Sequence, residues 1–448
     1  MKRTVLIMLS FSLLFSLSSS LHHDQETEKQ QEEWQKEKNA KLLIFGEESY
    51  EDLVSSEHGK LRILKPFAEL SPMLQGITNY RLGWFEAEPL TFLVPTHTNA
   101  DSVFYVVEGE GAIALLHEGN RESHVIEKGD IMRVWAGSIM YLINKSKNQK
   151  LKLARLLRPV GNTASFQVFQ SAGSEEAESY FRGFSTEIAE AALNTPREQL
   201  HQLFGHQSRA AITKAPEEKI RAIAQQAYES ETRPWPFRRS NKPFNLLNKQ
   251  PMYKNNRGKL LEADRNDYEQ LRDLNVRVTF TNISRGSMLA PFFNTRAFKL
   301  AVVTKGSGYV EIIYPEEKEW HKEDEPQRQT EERYTRVSSP LSQGSVMVSP
   351  PGHPTSIVAS KEQSLQMVCF EIQAESNEMV FIAGKNNMLS ELEKEAKELA
   401  FGVAAKVVDE VLRGREEEVF MAGPWEGKGG EKLVRPLMES VVSFVEGV

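Results

Sequence analysis

The chain has 448 residues, of which 40% are hydrophobic and 26% are charged, and its formal net charge is -7 at pH 7. This length is typical of two or three domains, and the composition is that of an ordinary globular protein. The acidic balance argues against a nucleic-acid-binding protein, which normally carries a basic patch or stripe.

The first 20 residues have the pattern of a cleaved signal peptide. Lys2 and Arg3 form a positive start, residues 5–17 are apolar apart from serines, and residues 18–20 are small and suited to cleavage. The apolar run is shorter than the ~20 residues that a membrane-spanning helix needs. No later segment is long and apolar enough to span a bilayer, so we expect a secretory protein without stable membrane insertion.

The segment that follows, residues 21–40, is polar and rich in Gln, Glu and Lys, which predicts a disordered tail. Cys369 is the only cysteine, so an intrachain disulfide is impossible. It lies in an apolar, strand-like run, where we expect a buried and inert thiol. Stability must therefore come from a large core or from assembly.

The rest of the sequence predicts one unit used twice. Gly-Lys-Leu at 59–61 recurs at 258–260, and the apolar run at 102–111 recurs at 299–308. Both runs are β-branched and aromatic and end at a glycine-bearing turn, which is typical of strands. We therefore expect a mainly β fold of two tandem barrels, each followed by a short helical bundle. The second half is longer because of a charged segment at 315–336, which predicts a mobile, solvated hairpin insertion.

Helix signals follow each barrel. A capping box begins at Thr195 with Pro196 behind it, Pro216 opens another helix, and a second capping box begins at Ser390. Spacing alone leaves open whether these helices pack on their own barrel or on another subunit. The predicted divisions are a signal peptide at 1–20, a tail at 21–40, a barrel at 41–183, a helical arm at 184–230, a linker at 231–244, a barrel at 245–385, and a helical arm and tail at 386–448.

The turn residues of both halves resemble the two motifs of cupin barrels, Gly-x5-His-x-His-x3–4-Glu-x6-Gly and Gly-x5-Pro-x-Gly-x2-His-x3-Asn, whose histidines and glutamate hold a divalent metal. The resemblance implies two tandem cupin domains of the jelly-roll type. In the first half, counting back from Gly109 places Pro95 and His97 at the histidine positions and Ser102 at the glutamate position. The second motif places Met140 at its histidine position. One imidazole among four positions does not hold a catalytic ion. We read His97 as a packed remnant rather than as a solitary functional group.

The second half retains none of the metal ligands. Phe292 and Asn294 replace the two histidines, Lys299 stands at the glutamate position, and Thr355 takes the place of the last histidine. The glycines and prolines that set the turns are kept, because the fold needs them. The pattern predicts two barrels without a metal or any other cofactor.

Three aromatic side chains in the cupin segments, Trp135, Phe292 and Phe293, admit two interpretations. They could line a barrel mouth that binds a small ligand such as a sugar. They could equally fill a barrel that no longer holds a metal, which is the interpretation we favour. The sequence has no nucleophile elbow, no Walker loop and no His-Glu-x-x-His, so catalysis by those routes is not expected.

Six stretches together match one known family. They lie at residues 74–77, 235–237, 280–283, 350–354, 383–387 and 396–401. In these stretches the chain resembles the vicilin class of seed globulins, and it is particularly similar to the sucrose-binding-protein branch. The resemblance covers nearly the whole chain after the signal peptide.

The resemblance implies a bicupin seed storage protein that serves as a nutrient reservoir and not as an enzyme. It implies flat homotrimers whose helical arms clasp the neighbouring subunit, and deposition in protein storage vacuoles, with an extracellular destination as the alternative. Residues 441–448 could act as a sorting signal or be a frayed end. Some vicilins hold copper in the second cupin through Cys and His, but residues 290–294 here offer neither. The competing hypotheses are a sugar-binding protein and a residual metalloenzyme.

Two sequons for N-glycosylation are present, at Asn144 and Asn282. Asn144 closes a cupin strand, and Asn282 lies within another strand-like run. Both are therefore candidates for modification that burial can block.

Overall fold

The computed structural model describes residues 42–161, 165–173, 178–204, 210–232, 241–315 and 334–426. The predicted signal peptide and polar tail lie outside the described residues. So do most of the linker at 231–244, most of the insertion at 315–336, and residues 427–448, which include the proposed sorting signal.

The N-terminal half consists of short strands. Buried and partly exposed residues largely alternate in some of them, as at residues 91–98, whereas others are buried along their whole length, as at residues 130–134. The strands of this half are β1 (Ile44–Phe45), β2 (Tyr50–Ser56), β3 (Gly59–Leu64), β4 (Arg81–Ala87), β5 (Thr91–Thr98), β6 (Ala100–Glu108), β7 (Glu110–His117), β8 (Asn120–Glu127), β9 (Asp130–Val134), β10 (Ile139–Asn144), β11 (Leu151–Pro159), β12 (Val168–Gln170) and β13 (Ile212–Lys214).

The C-terminal half repeats the same succession of strands. They are β14 (Phe244–Asn245), β15 (Tyr253–Asn255), β16 (Gly258–Ala263), β17 (Val276–Ile283), β18 (Ser287–Asn294), β19 (Phe298–Lys305), β20 (Ser307–Pro315), β21 (Tyr334–Ser342), β22 (Val346–Ser349), β23 (Thr355–Ala359), β24 (Leu365–Ile372), β25 (Met379–Phe381) and β26 (Phe420–Ala422). Pro315 pairs with Tyr334, so the insertion does begin and end on a hairpin.

Each half pairs a sheet of seven strands with a smaller one, and all pairings are antiparallel. In the first half the sheet orders are β14-β9-β6-β11-β4-β3-β2 and β12-β5-β10-β7-β8, with β13 on β5. In the second half they are β1-β22-β19-β24-β17-β16-β15 and β21-β20-β23-β18-β25, with β26 on β18. The mainly β fold with two jelly-roll barrels is confirmed.

The two barrels exchange short strands. β1 precedes the first barrel but pairs with β22 of the second, through Ile44 and Met347. β14 precedes the second barrel but pairs with β9 of the first, through Phe244 and Ile131. The apolar core is also continuous between the halves. The sequence did not predict this exchange, which joins the predicted domains at 41–183 and 245–385.

Within the described part of the chain, one short helix lies between β3 and β4 of the first barrel, and the other helices follow the barrels as predicted. The helices are α1 (Phe67–Leu70), α2 (Thr186–Leu193), α3 (Arg197–Phe204), α4 (Glu217–Thr232), α5 (Lys394–Phe401) and α6 (Ala405–Leu412). The cap predicted at Ser390 is wrong, because α5 begins after Glu393. Ser390 instead donates its hydroxyl proton to the carbonyl of Asn387 at 2.7 Å, within a preceding 3₁₀ turn.

The helices differ in what they cover. α4 packs on its own barrel, where Ile220 and Ala224 are buried against Ile143. On the other helices large apolar side chains remain exposed in the single chain, by 60% at Leu203, 87% at Leu399 and 74% at Val411. Packing on the chain's own barrel therefore holds for α4, while packing of the other helices on a neighbouring subunit stays a prediction.

Candidate functional site

The interior of the second barrel brings the four predicted cupin positions together. Phe292 and Thr355 are register partners on β18 and β23, and Asn294 and Lys299 lie on β18 and β19. All four residues are at most 1% exposed. The four counted positions of this half are therefore all buried within the barrel.

Lys299 forms the centre of a buried polar network in this barrel. Its ammonium donates to Oε1 of Glu371 at 2.7 Å and lies 5.8 Å from the centre of the Phe292 ring. Oε2 of Glu371 lies 3.6 Å from Arg277 and accepts a hydrogen bond from Asn377 at 3.4 Å. An internal cation thus lies among the positions that hold a metal in other cupins.

Electrostatics favour the charged form of this lysine. Burial by itself would lower the pKa of Lys299, but the neighbouring Glu371 carboxylate outweighs it and raises the pKa above its ordinary value. The nearby thiol of Cys369 is buried, and burial raises its pKa, so it stays protonated and unreactive. A fixed ammonium beside a phenyl ring repels a metal cation rather than binding one.

In the first barrel the predicted register is wrong by one residue. Thr96 and Thr98 of β5 are buried and line the barrel interior, whereas Pro95 and His97 lie on the opposite face of the strand. The motif allows three or four residues before its glutamate position, and the three-residue spacer is the one that fits Ser102. A one-residue slip moves every side chain to the other face of a strand.

His97 is packed between aromatic rings on the outer face of β5. Its ring stacks on Phe169 with centroids 4.9 Å apart and meets the edge of Tyr180 at 5.6 Å. Burial lowers the pKa of His97, so the neutral imidazole is favoured. This environment supports the interpretation of His97 as a packed remnant.

The corrected positions in the first barrel are Thr96, Thr98, Ser102 and Met140, and all but Ser102 line a cavity of about 50 Å³. Ser102 is fully buried at its edge and donates to the carbonyl of Val134 at 3.2 Å. Neutral hydroxyls and a thioether are weak ligands for the divalent metals of cupins. Neither barrel therefore offers a donor set that fits the family's metal. Among the residues that the structure describes, no group of three His, Cys, Asp or Glu side chains is placed to hold an ion.

Sequence reasoning missed Arg155 of β11, which also lines this cavity. Its Nε donates to Oγ of Ser102 at 2.9 Å, while its Nη2 is buried without a hydrogen-bond partner. Burial lowers the pKa of Arg155 to about 10, which leaves the guanidinium charged at neutral pH. The available signal was a charge between Leu153 and Leu157, on a strand face whose other residues are apolar.

The three aromatic candidates do not form one site. Phe292 fills the second barrel, but Phe293 alternates to the other face of β18. Trp135 does not line the cavity of the first barrel; it stacks on His117 with centroids 5.2 Å apart and lies under Arg133. A common aromatic sugar platform is therefore absent from these three residues.

Both sequons are poorly placed for modification. Asn144 is 1% exposed, and its Nδ2 donates to the carbonyls of Ala87, Glu88 and Gln149 at 2.9–3.1 Å. Asn282 lies in the interior of β17, between β16 and β24, with its Oδ1 buried. A glycan on Asn144 would replace one of the two hydrogens of Nδ2, and the remaining N–H could not maintain all three bonds, so the structure argues against this site.

Comparisons with known proteins agree with this architecture. The family model described as Cupin matches residues 89–199 and 244–409. A vicilin of Juglans regia is 40% identical over 390 residues, covering 85% of this chain and 78% of that protein. The crystal structure of the vicilin of Corylus avellana has a TM-score of 0.77 at 39% identity and covers 85% of this chain and 99% of that one.

A third relative is informative about binding. The vicilin of Solanum melongena, with a TM-score of 0.78 and 32% identity over 85% of this chain and 98% of that one, is described as holding different anionic ligands in structurally similar pockets. The finer similarity to sucrose-binding proteins is not tested by these matches and stays a prediction. The two cupin segments, the coverage and the identities show that the chain belongs to the cupin family and, within it, to the vicilin class of seed storage globulins.

Proposed function

We propose that this globulin acts as a nutrient reservoir and has no enzymatic activity. One observation supports this most: both barrels keep their strands and turns, while the metal positions hold Phe292, Asn294, Lys299 and Thr355 in one barrel and hydroxyls and a thioether in the other. A reserve protein needs a stable, packable fold and no reactive centre. Quantitative proteomics of maturing and germinating seeds tests the proposal. It predicts accumulation to a major fraction followed by breakdown, whereas a constant trace level would contradict it.

We propose further that the protein assembles as a homotrimer through its helical arms. The support is the exposed apolar surface on the arms after both barrels, which includes Ile188 and Leu203 on one arm and Leu399 and Val411 on the other. An N-terminal arm of one subunit that packs on the C-terminal arm of the next forms a closed ring.

Light scattering tests the assembly. The wild-type chain should give a trimer mass, and the double variant L399E/V411E should give a monomer. The control is K406E on the same helix α6, since the Lys406 side chain is 88% exposed and pairs only weakly with Glu410 at 4.0 Å. A monomeric wild type, or a trimer that survives the double substitution, would contradict the arm model.

The proposed destination is the protein storage vacuole, reached through the secretory pathway. The N-terminal pattern of Lys2, Arg3 and the apolar run supports entry into this pathway. No helix in the described ranges has the length and hydropathy to cross a membrane. A fluorescent fusion in developing seeds should label vacuoles, and deletion of residues 441–448 should redirect it outside the cell if they carry the sorting signal.

A second candidate function is small-ligand binding in the N-terminal barrel. The buried Arg155 guanidinium favours it here, and the anionic ligands described for the Solanum melongena vicilin show a precedent in a relative. Because Arg155 is a cation, the cavity favours an anionic ligand over the neutral sugar that the sequence analysis considered. Equilibrium dialysis with sucrose should accordingly give no saturable binding, and saturation at micromolar sucrose would restore the sugar hypothesis.

A further inference from the structure

A helix covers the outer face of the smaller sheet in the first barrel. This helix, α4, follows β13 and buries Ile220 and Ala224 against Ala112 of β7 and Ile143 of β10. Ala112 and Ile143 are register partners, and both are at most 2% exposed. An apolar helix face laid on a sheet is a common way to complete a layer of a domain.

The outer face of the corresponding sheet in the second barrel is more exposed. Tyr309 of β20 and Val358 of β23 are the register partners at the place of that pair. Tyr309 is partly exposed, as is Met288, which pairs with Val358 on β18. Pro340, the partner of Tyr309 on β21, is exposed. The described residues therefore cover this face less completely than α4 covers its counterpart.

The chain arrives at this face in the same way in both halves. β13 pairs with β5, and β26 pairs with β18. Directly after these strands Ala215 donates to the carbonyl of Leu90, and Gly423 donates to the carbonyl of Gly286, each at 2.9 Å. The next residue is a proline in both halves. In the first half α4 begins there, so the repeat leads us to expect a helix from the chain after β26.

The indole of Trp425 fixes the chain on this part of the second barrel. Its Nε1 donates to the carbonyl of Ala359 at the end of β23, at 3.1 Å, and the ammonium of Lys361 lies 5.4 Å from its ring. The described chain ends at the next residue, Glu426. Residues 427–448 therefore start beside the exposed sheet face.

These last residues carry the sequence pattern of a helix that covers a sheet. Pro436 is suited to the first turn of a helix, and apolar residues after it recur at i, i+3, i+4 and i+7. The apolar face of α4 has the same spacing. The two sets are Ile220, Ile223, Ala224 and Ala227 in α4 and Val441, Phe444, Val445 and Val448 at the C-terminus.

The intervening residues are long enough for this segment to reach across the sheet. Residues 427–435 include three glycines and can span up to ~30 Å when extended. A sheet of five strands is about 20 Å wide. The polar residues Glu439, Ser443 and Glu446 fall on the side of the helical pattern opposite Val441, where they would face solvent.

We propose that residues 436–448 pack as an amphipathic helix on the outer face of β18, β20 and β23, in the place that α4 takes in the first barrel. Three observations select this segment as the occupant: the chain leaves the described structure beside the face, the first half places a helix there, and the apolar spacing matches.

Hydrogen exchange of the recombinant full-length chain, followed by mass spectrometry, tests the docking. Amides of a helix held against a sheet exchange slowly, whereas a free segment of this length is only marginally helical. We expect the amides of residues 440–447 to exchange at least about tenfold more slowly than in a synthetic peptide of residues 427–448.

Substitutions on both sides of the contact should remove this protection. F444E puts a charge on the apolar side of the segment, and Y309E puts one on the sheet face. S443E is the matched control beside Phe444, since Ser443 lies on the polar side and its substitution should leave the exchange unchanged. Tyr309 alternates with the fully buried Val310 and faces away from the barrel interior, so Y309E should retain the wild-type circular dichroism spectrum.

Hydroxyl-radical footprinting of methionine reports on the sheet face independently. Met288 should be oxidised at least about threefold faster in F444E than in the wild type, because release of the segment exposes it. Met252 is 52% exposed outside this face and should be oxidised equally in both.

The outcomes separate the possible occupants of the face. Protection that survives Y309E, with Met288 oxidised equally in F444E and wild type, would mean that the segment packs elsewhere and would overturn the proposal. Protection that is lost in L399E/V411E would assign the segment to a neighbouring subunit and would overturn it too. Exchange of the wild type at the rate of the free peptide would refute docking altogether. These measurements use purified protein, so they do not depend on whether residues 441–448 also carry the sorting signal.

Discussion

Removal of Lys299 tests whether the second barrel depends on its internal cation. Lys299 and Glu371 are 1% and 2% exposed in their side chains, and their charged atoms are 2.7 Å apart. Loss of one member of such a pair typically costs about 3–5 kcal/mol, because the other charge stays buried. K299M leaves Glu371 with Arg277 at 3.6 Å and Asn377 at 3.4 Å, so we expect about 3 kcal/mol. E371Q leaves the ammonium without a carboxylate and should cost about 5 kcal/mol.

Urea unfolding followed by circular dichroism measures these costs, at one protein concentration because assembly shifts the midpoint. The double variant K299M/E371L removes both charges and should lie within about 1 kcal/mol of the wild type. The control is the exposed pair Arg265–Glu375, which has a similar separation of 2.8 Å with side chains 49% and 60% exposed. R265M should cost about 1 kcal/mol or less. If K299M costs no more than R265M, the network does not stabilise the barrel.

Three further predictions concern stability and modification. The hydrogen bond from Arg133 of the first barrel to Asp273 of the second, 2.6 Å long, holds the pKa of Asp273 below its usual range. The stabilisation of the folded state by this pair is therefore present above the ordinary aspartate pKa of about 3.9, and it is lost as pH falls through the lower folded pKa. The midpoint difference between wild type and D273N should therefore vanish in strong acid; a difference that grows there would refute this. Gly306 has φ +83°, and a Cβ there would lie 1.8 Å from the Ser364 carbonyl oxygen. G306A should therefore lower the free energy of unfolding in urea by more than about 2 kcal/mol. The control G119A should cost about 1 kcal/mol, because a Cβ at Gly119 meets no atom within 4 Å. Mass spectrometry of the seed protein should find Asn144 unglycosylated. An occupied site would contradict this prediction and would mean that glycosylation precedes the folding of this strand end.

The repeat in the sequence predicted the architecture well because strands and turns leave local signals. β-branched runs that end at glycines, such as those at 102–111 and 299–308, indicate strands without knowledge of their partners. The exchanged strands β1 and β14 could not be predicted in this way. Each has two residues and no periodicity, and its place is set by pairing with the other barrel.

The candidate site was predictable in one barrel and not in the other. In the second half the spacing placed Phe292, Asn294 and Lys299 on the inward face. In the first half a spacer that tolerates one residue more or less left the face of Pro95 and His97 undetermined, since strands alternate with a period of two. Only the burial of Thr96 and Thr98 in the structure shows which face of β5 points into the barrel.

The buried charge networks could not be predicted from the sequence. The pairing of Lys299 with Glu371 joins residues 72 positions apart, and nothing local in either strand indicates it. The contact of Arg155 with Ser102 joins residues 53 positions apart and is likewise visible only in three dimensions. Such contacts depend on sheet order, which single-strand patterns do not encode.

Our central inference is that neither barrel holds a metal, because the Lys299–Glu371 pair occupies the second barrel and the first offers only hydroxyls and a thioether. Its most direct test is the metal content of the assembled protein purified from seed, measured by inductively coupled plasma mass spectrometry after dialysis without chelator. We expect transition metals far below one ion per chain. One firmly held ion per chain, lost together with barrel stability when chelated, would contradict it.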